Sequence, residues 1–245
     1  MQIEFANTYE DGKYASAYAK LEFANTYHLA YRDLPDLFAR QVGGRRALDF
    51  GCGAGRSTRF LRRLGFEVTG VDISEDMLRQ ARSLDPTGDY RLVREDGLSD
   101  LGGGGFDLAL SMFTFDNVPT GEKKTALFRG LGDLLAPQGK IVSVVSSPEL
   151  YANEWASFST RDFPGNRSAR CGDPVWTVIT DIEDRRPCAD VLWPDADYRE
   201  VYGRAGLAVV EVLRPLATGD EPYPWVNETH IAPWVVYALE HTDTR

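Results

Sequence analysis

The stretch Ala47-Leu48-Asp49-Phe50-Gly51-Cys52-Gly53-Ala54-Gly55 decides the fold. A short apolar run, Ala47–Phe50, ends in three alternating glycines, and Ser57–Leu64 then follows at helical spacing until Gly65. Glycines between a strand and a helix let a ligand approach the backbone closely. Working outward, Glu67–Val71 reads as a second strand closed by Asp72, and Ser74 is a good N-cap for a helix over Glu75–Leu84. Asp89–Arg94 reads as a third strand, and Phe106–Ser111, after the loop Gly102–Gly105, as a fourth. A helix over Glu122–Leu135 is broken by Pro137 and Gly139, and Lys140–Ser146 is a fifth strand.

Strands separated by helices imply parallel pairing through right-handed crossovers. Toward the C-terminus, Asp195–Ala205 is helical and stopped by Gly206. Leu207–Leu213 and Ile231–Leu239 are closing strands able to form an antiparallel sheet edge. The chain therefore reads as α/β: a Rossmann-like, mostly parallel seven-stranded sheet with helices on both faces. Residues 148–194 break the rhythm with clustered Pro and Trp, and Val175–Thr180 pairs with Ala189–Trp193 as a hairpin across Asp181–Arg186. This is an insertion over the sheet that covers a substrate. Residues 12–42 are helical, with a stop and restart at Asp33–Asp36. The expected organisation is one domain: residues 1–42 an N-terminal helical segment, 43–147 a ligand-binding core, 148–194 the insertion and 195–245 the closing helix and strands.

The glycine loop does not carry the dinucleotide fingerprint. Counted from Gly51 and Gly53, the third glycine position falls on Arg56; counted from Gly53 and Gly55, it falls on Thr58. No Gly-Lys-Ser or Gly-Lys-Thr follows, which excludes a P-loop. Asp72 ends the second strand about 20 residues beyond the loop, where a carboxylate accepts two hydrogen bonds from a ribose diol. Arg94-Glu95-Asp96-Gly97, at the end of the third strand, offers an acceptor beside exposed amides that can read an adenine edge.

Together these motifs resemble the class I S-adenosylmethionine-dependent methyltransferases. Residues 47–55 look like that family's first motif and 68–74 like its second strand. Residues 94–97 look like its adenine-contacting segment and 106–113 like its fourth strand. Leu134–Lys140 is similar to the turn before strand five, with Gln138 where Gly is usual. The resemblance covers about residues 40–146 plus the closing strands. It implies S-adenosyl-L-methionine as cofactor and S-adenosyl-L-homocysteine as product. Asp49, Gly51, Gly53 and Gly55 would lie near the methionine moiety, Asp72 on the ribose, and Asp96 and Gly97 near adenine. Ile73 and Met77 would flank the adenine face, and Met112 would floor the reactive methyl. Small-molecule members often carry a tyrosine-bearing N-terminal lid, for which Tyr9, Tyr14, Tyr18, Tyr27 and Arg32 are the candidates. Aromatic faces hold a methylsulfonium, and Arg32 would pair with the cofactor carboxylate.

Composition bears on the acceptor. The chain has 245 residues, with 27 Lys plus Arg against 37 Asp plus Glu, a net charge of −10. That acidity argues against a phosphate-gripping nucleic-acid partner and against an anionic membrane surface. The segment after strand four, Phe113–Pro119, lacks the Asn/Asp-Pro-Pro-Tyr of nucleic-acid amino-methylating enzymes. Three cysteines without a C-x-x-C pair and three scattered histidines indicate neither a disulfide framework nor a metal site. No signal peptide and no run of 18 apolar residues is present, so a cytoplasmic location is expected. The expected partner is a small, flat, partly apolar molecule held by Phe115, Trp155, Phe158, Trp176, Trp193 and Asn227. His230 is the candidate general base, with Tyr9 the second candidate catalytic group. Segments 18–23, 155–160 and 225–229 resemble bacterial small-molecule N-methyltransferases of the azapteridine (toxoflavin) type, which implies N-methylation of a planar heterocycle. The alternatives are O- or C-methylation of a phenolic or quinone-like metabolite, or a non-catalytic cofactor-binding module.

Overall fold

In the computed structural model, which describes residues 16–94, 98, 101 and 104–242, the glycine-loop strand lies at the centre of a seven-stranded sheet. The main-sheet strands are β1 (Arg46–Phe50), β2 (Glu67–Asp72), β3 (Asp89–Leu92), β4 (Phe106–Met112), β5 (Leu135–Ser146), β9 (Leu207–Leu213) and β10 (Trp234–His241). Their order is β3-β2-β1-β4-β5-β10-β9. β1, β2, β3, β4 and β5 pair in parallel, while β10 runs antiparallel to both β5 and β9. The closing strands thus add an antiparallel edge, with the last strand inserted between the fifth and the sixth.

Both faces of the sheet are buried, because alternate strand residues enter two different cores. Ala47, Leu108, Leu110, Val142 and Val144 pack with α1 (Thr26–Arg32), α2 (Leu34–Gln41) and Leu61 of α3 (Arg56–Arg63). Leu48, Ala109, Ile141 and Val145 pack with Phe128 and Leu131 of α5 (Gly121–Asp133) and Tyr198, Val201 and Tyr202 of α6 (Asp195–Arg204). The remaining helix, α4 (Glu75–Leu84), begins at Ser74, whose hydroxyl accepts from the Met77 amide at 3.3 Å.

Residues 148–194 form a second sheet of β6 (Phe158–Ser159), β7 (Pro174–Ile179) and β8 (Cys188–Val191), with β7 and β8 antiparallel. The expected helix over 12–42 is interrupted among the described residues: 16–18 are helical, α1 starts at Thr26, and Asp33 separates it from α2. Pro35 explains the restart, since a proline is tolerated in a first turn.

One buried carboxylate joins three segments distant in sequence. Glu228 is fully buried. Its Oε1 accepts from Thr26 Oγ1 at 2.6 Å and the Ala156 amide at 2.8 Å. Its Oε2 accepts from the amides of Val226 at 2.8 Å and Asn227 at 3.1 Å. Thr26 is further tied to Ser157, and its carbonyl accepts from Trp234 Nε1 at 2.8 Å. The loop before β10, the second sheet and α1 therefore meet at one satisfied polar knot.

Candidate active site

The carboxyl ends of the central strands open into a cavity of about 580 Å³, within the range of small-molecule sites. The glycine loop forms one wall and shows three different uses of glycine. All three of Gly51, Gly53 and Gly55 have positive φ. A Cβ on Gly51 would meet Thr114 Oγ1 at 2.2 Å, and one on Gly55 would meet the Tyr90 hydroxyl at 2.6 Å. A Cβ on Gly53 would meet only Met77 Cε at 3.8 Å, so it would stand in the open cavity. Gly51 and Gly53 line the cavity; Gly55 packs against β3 instead and starts α3.

Asp72 stands at the cavity wall, as its position at a strand end requires. Its Oδ2 accepts from the Gly53 amide and its Oδ1 from the Ser74 amide, both at 2.8 Å. Burial raises its pKa, and the amides of Ser74, Gly53 and Ile73 oppose that shift. Each carboxylate oxygen has a second lone pair, so pinning the loop and receiving a diol are compatible tasks. Ile73, Met77, Met112 and Tyr18 also line the cavity.

A smaller cavity of about 40 Å³ is lined by Gly51, Gly53, Tyr18, Tyr31 and Arg56 among others. Arg56 is buried, with its guanidinium 4.5 Å from the Tyr27 ring centre and 5.6 and 5.7 Å from those of Tyr31 and Tyr18. Burial alone would lower its pKa, but the phenols of Tyr31, Tyr18 and Tyr27 outweigh it and the net shift is upward. Arg56 was legible in one respect: a cation at a helix N-terminus opposes the macrodipole and needs another reason to be there.

Two further lining residues escape a sequence reading. Phe113 adopts a left-handed conformation, φ 65° and ψ −3°, directly after β4. For a bulky residue that is a strained geometry costing roughly 1–2 kcal/mol, of the kind found at functional sites. Asn117 lines the cavity with a buried Oδ1 that has no hydrogen-bond partner among the described residues.

Other expected site residues lie elsewhere. Tyr9, Tyr14, Asp96 and Gly97 fall outside the described residues. Arg32 is ion-paired with Asp33 at 2.7 Å and Glu221 at 3.2 Å, so it does not face the glycine loop. Asp49 is fully buried beneath the loop, accepting from Ser57 at 2.7 Å and Thr58 at 2.5 Å. Burial pushes its pKa up to about 6. Tyr27 is a core ring, 5.2 Å from Phe158 and 6.0 Å from Trp234. Phe115 stacks on Phe128 at 3.8 Å in the opposite core. Trp155 is buried and donates to the Leu150 carbonyl at 2.8 Å.

The polar loop and the remaining tryptophans are corrected in the same way. Trp176 points away from its buried strand neighbours Val175 and Thr177, and Trp193 lies over Lys124 Nζ at 4.8 Å. Neither lines the cavity. Asn227 donates to the Glu154 carbonyl at 2.9 Å and serves the knot around Glu228. His230 is exposed and absent from the cavity wall, so the expected general base has no access to it. For Tyr27, Phe115 and Trp155 the reason is packing: aromatic rings filled the interior before they could furnish a pocket.

Residues 47–139 match the methyltransferase-domain family. The chain is 29% identical over 182 residues to the N-demethylindolmycin N-methyltransferase of Streptomyces griseus, covering 72% of this chain and 76% of that enzyme. It is 34% identical over 105 residues to a ubiquinone biosynthesis O-methyltransferase of Xanthomonas euvesicatoria pv. vesicatoria, covering 41% of this chain and 43% of the relative. In fold it is similar to the CcbJ methyltransferase of Streptomyces caelestis, with a TM-score of 0.61 at 19% identity over 87% of this chain and 96% of that one. An S-adenosylmethionine-dependent methyltransferase of Clostridium acetobutylicum aligns with a TM-score of 0.63 at 13% identity over 94% and 98%.

Proposed function

We propose that this chain is an S-adenosylmethionine-dependent methyltransferase that N-methylates a small planar heterocycle. The observation that carries the nitrogen assignment is the relation to an N-methyltransferase over 72% of the chain, against 41% for the O-methyltransferase. When bound, S-adenosylmethionine supplies an electrophilic methyl group on a sulfonium.

The residues present fit that cofactor. The open face of Gly53 admits it, and Asp72 receives the ribose hydroxyls. The orphaned Asn117 Oδ1 would accept a donor that the described residues do not provide. Arg56 offers a fixed cation to the carboxylate in the smaller cavity, replacing the role expected of Arg32. Met112 and the strained Phe113 form the floor where β4 ends, and Tyr18 lines both cavities. Positioning of this kind supplies much of the rate of a bimolecular transfer, about 7–11 kcal/mol in well-oriented systems.

The test combines calorimetry with product analysis. S-adenosylhomocysteine is expected to bind, and methyl-¹³C-labelled cofactor incubated with N-demethylindolmycin and a panel of N-heterocycles is expected to yield an N-methyl resonance. A methoxy or C-methyl product would establish the phenolic reading instead. Binding without turnover on the panel or on a metabolite extract would support a non-catalytic module.

A further inference from the structure

The floor of the larger cavity is held from behind. Phe113, Thr114 and Asn117 line the cavity, whereas Phe115 and Asp116, in the same 3₁₀ turn Thr114–Asn117, are buried away from it. The Phe113 amide donates to the Val144 carbonyl of β5 at 2.8 Å, and Thr114 Oγ1 to the Phe50 carbonyl of β1 at 3.0 Å. Asp116 Oδ2 accepts from the Ser146 amide at 3.0 Å and from its hydroxyl at 2.8 Å. Asp116 Oδ1 accepts from the Tyr198 hydroxyl at 3.4 Å. Lys124 of α5 donates from Nζ to the Phe115 carbonyl.

Lys124 is a costly residue for that place. It is fully buried, with Nζ 4.8 Å from the Trp193 ring centre and 5.4 Å from that of Tyr198. Taking an ammonium out of water is unfavourable, and apolar residues of similar volume often serve stability as well or better. Local structure does not require the lysine either. α5 has its own cap in Thr120, whose hydroxyl accepts from the Lys123 amide at 3.2 Å. The Phe115 carbonyl already accepts from the Val118 amide at 3.3 Å. What Lys124 adds is a second, charged donor that pulls the turn toward α5. A strained residue such as Phe113, with φ 65°, persists only where its surroundings over-determine it. On its N-terminal side the sheet does so; on its C-terminal side Asp116 and Lys124 do.

We propose that Lys124 and Asp116 are positioning residues, which hold the turn Thr114–Asn117 from outside the cavity and so set Phe113 and Asn117 against the cofactor. Neither of the two lines the cavity, so each acts through the turn. The inference rests on S-adenosylmethionine occupying this cavity and is independent of which atom is methylated.

The experiment measures S-adenosylhomocysteine binding by calorimetry on folded protein and needs no identified acceptor. Lys124→Met matches the length of the lysine stem but has no donor. It is expected to weaken binding about tenfold, the size of a lost hydrogen bond to a charged group. A residue that only stabilises the fold would lower the melting temperature and leave the affinity of the folded protein unchanged. Asn117→Ala supplies the second arm of a double-mutant cycle. Because Lys124 acts through the turn that carries Asn117, the double variant should lose clearly less than the product of the two single losses. Ser146→Ala removes one of the donors to Asp116 and should weaken binding about threefold, since the Ser146 amide still holds the carboxylate. An unchanged affinity in Lys124→Met overturns the proposal, as does a double variant that loses the full product. Should Lys124→Met fail to fold, an unchanged affinity in Ser146→Ala overturns it. A wild type that does not bind S-adenosylhomocysteine refutes the cofactor reading itself, whereas wild-type binding with unchanged variants refutes only the positioning.

Discussion

The glycine-loop region and the cover formed by residues 148–194 and 224–234 differ in how their function is encoded. In the first, the ligand-facing surface is largely backbone. Its shape follows from local features: a strand end, positive φ at three glycines, and an aspartate whose carboxylate closes on the next turn. In the second, the surface is made of side chains from distant segments. Which of them face inward is settled only when the segments pack. Tyr151, Trp155, Phe158 and Trp234 went into the core, while a carboxylate, Glu228, became the joint. Spacing therefore predicts a cradle well and a cover poorly.

The largest expected effect breaks the joint. Glu228→Ala removes four accepted hydrogen bonds at a fully buried site. Each orphaned donor costs about 1–3 kcal/mol, so several kcal/mol should be lost in chemical denaturation. A loss under about 1 kcal/mol would mean that the cover is held by apolar packing instead.

The cradle has its own buried charge. Asp49 is raised to about 6 by burial, so the native state binds its proton more tightly than the unfolded chain does. Between about pH 6 and pH 4 the native state then holds the extra proton, and this group adds stability as pH falls. The full contribution is about 3 kcal/mol at roughly 1.4 kcal/mol per pKa unit. Asp49→Asn should flatten melting temperature against pH in that window; an unaltered slope would remove Asp49 as its source.

A glycine pair sharpens the contrast within the cradle. Gly53→Ala places a methyl group in open cavity, so S-adenosylhomocysteine affinity should fall about tenfold or more, with roughly 1–2 kcal/mol of backbone strain. Gly55→Ala meets the Tyr90 hydroxyl and should lower stability more than it lowers affinity. Equal affinity losses in the two variants, measured on folded protein, would erase the distinction drawn between these glycines.

The smallest effect belongs to the cover. His230→Ala should leave turnover within about twofold, since an exposed side chain off the cavity wall contributes little. A loss of a hundredfold would restore the histidine as the base.

Local sequence determined the alternating strands and helices, the glycine loop at a strand end, the Ser74 cap and the placement of Asp72. These follow from chain chemistry acting over a few residues: apolar periodicity, glycine's access to positive φ, and a hydroxyl's capping bond. Sequence also pointed to Gly51, Gly53, Ile73, Met77, Met112 and Tyr18, all of which line the cavity. Tertiary packing decided the rest. It sent Arg32 to Glu221 and put Arg56 among the tyrosines. It buried Phe115 and Trp155 and strained Phe113. Spacing along the chain cannot specify such contacts, because they depend on which side chains fill the core and some, such as Arg32–Glu221, join segments more than a hundred residues apart.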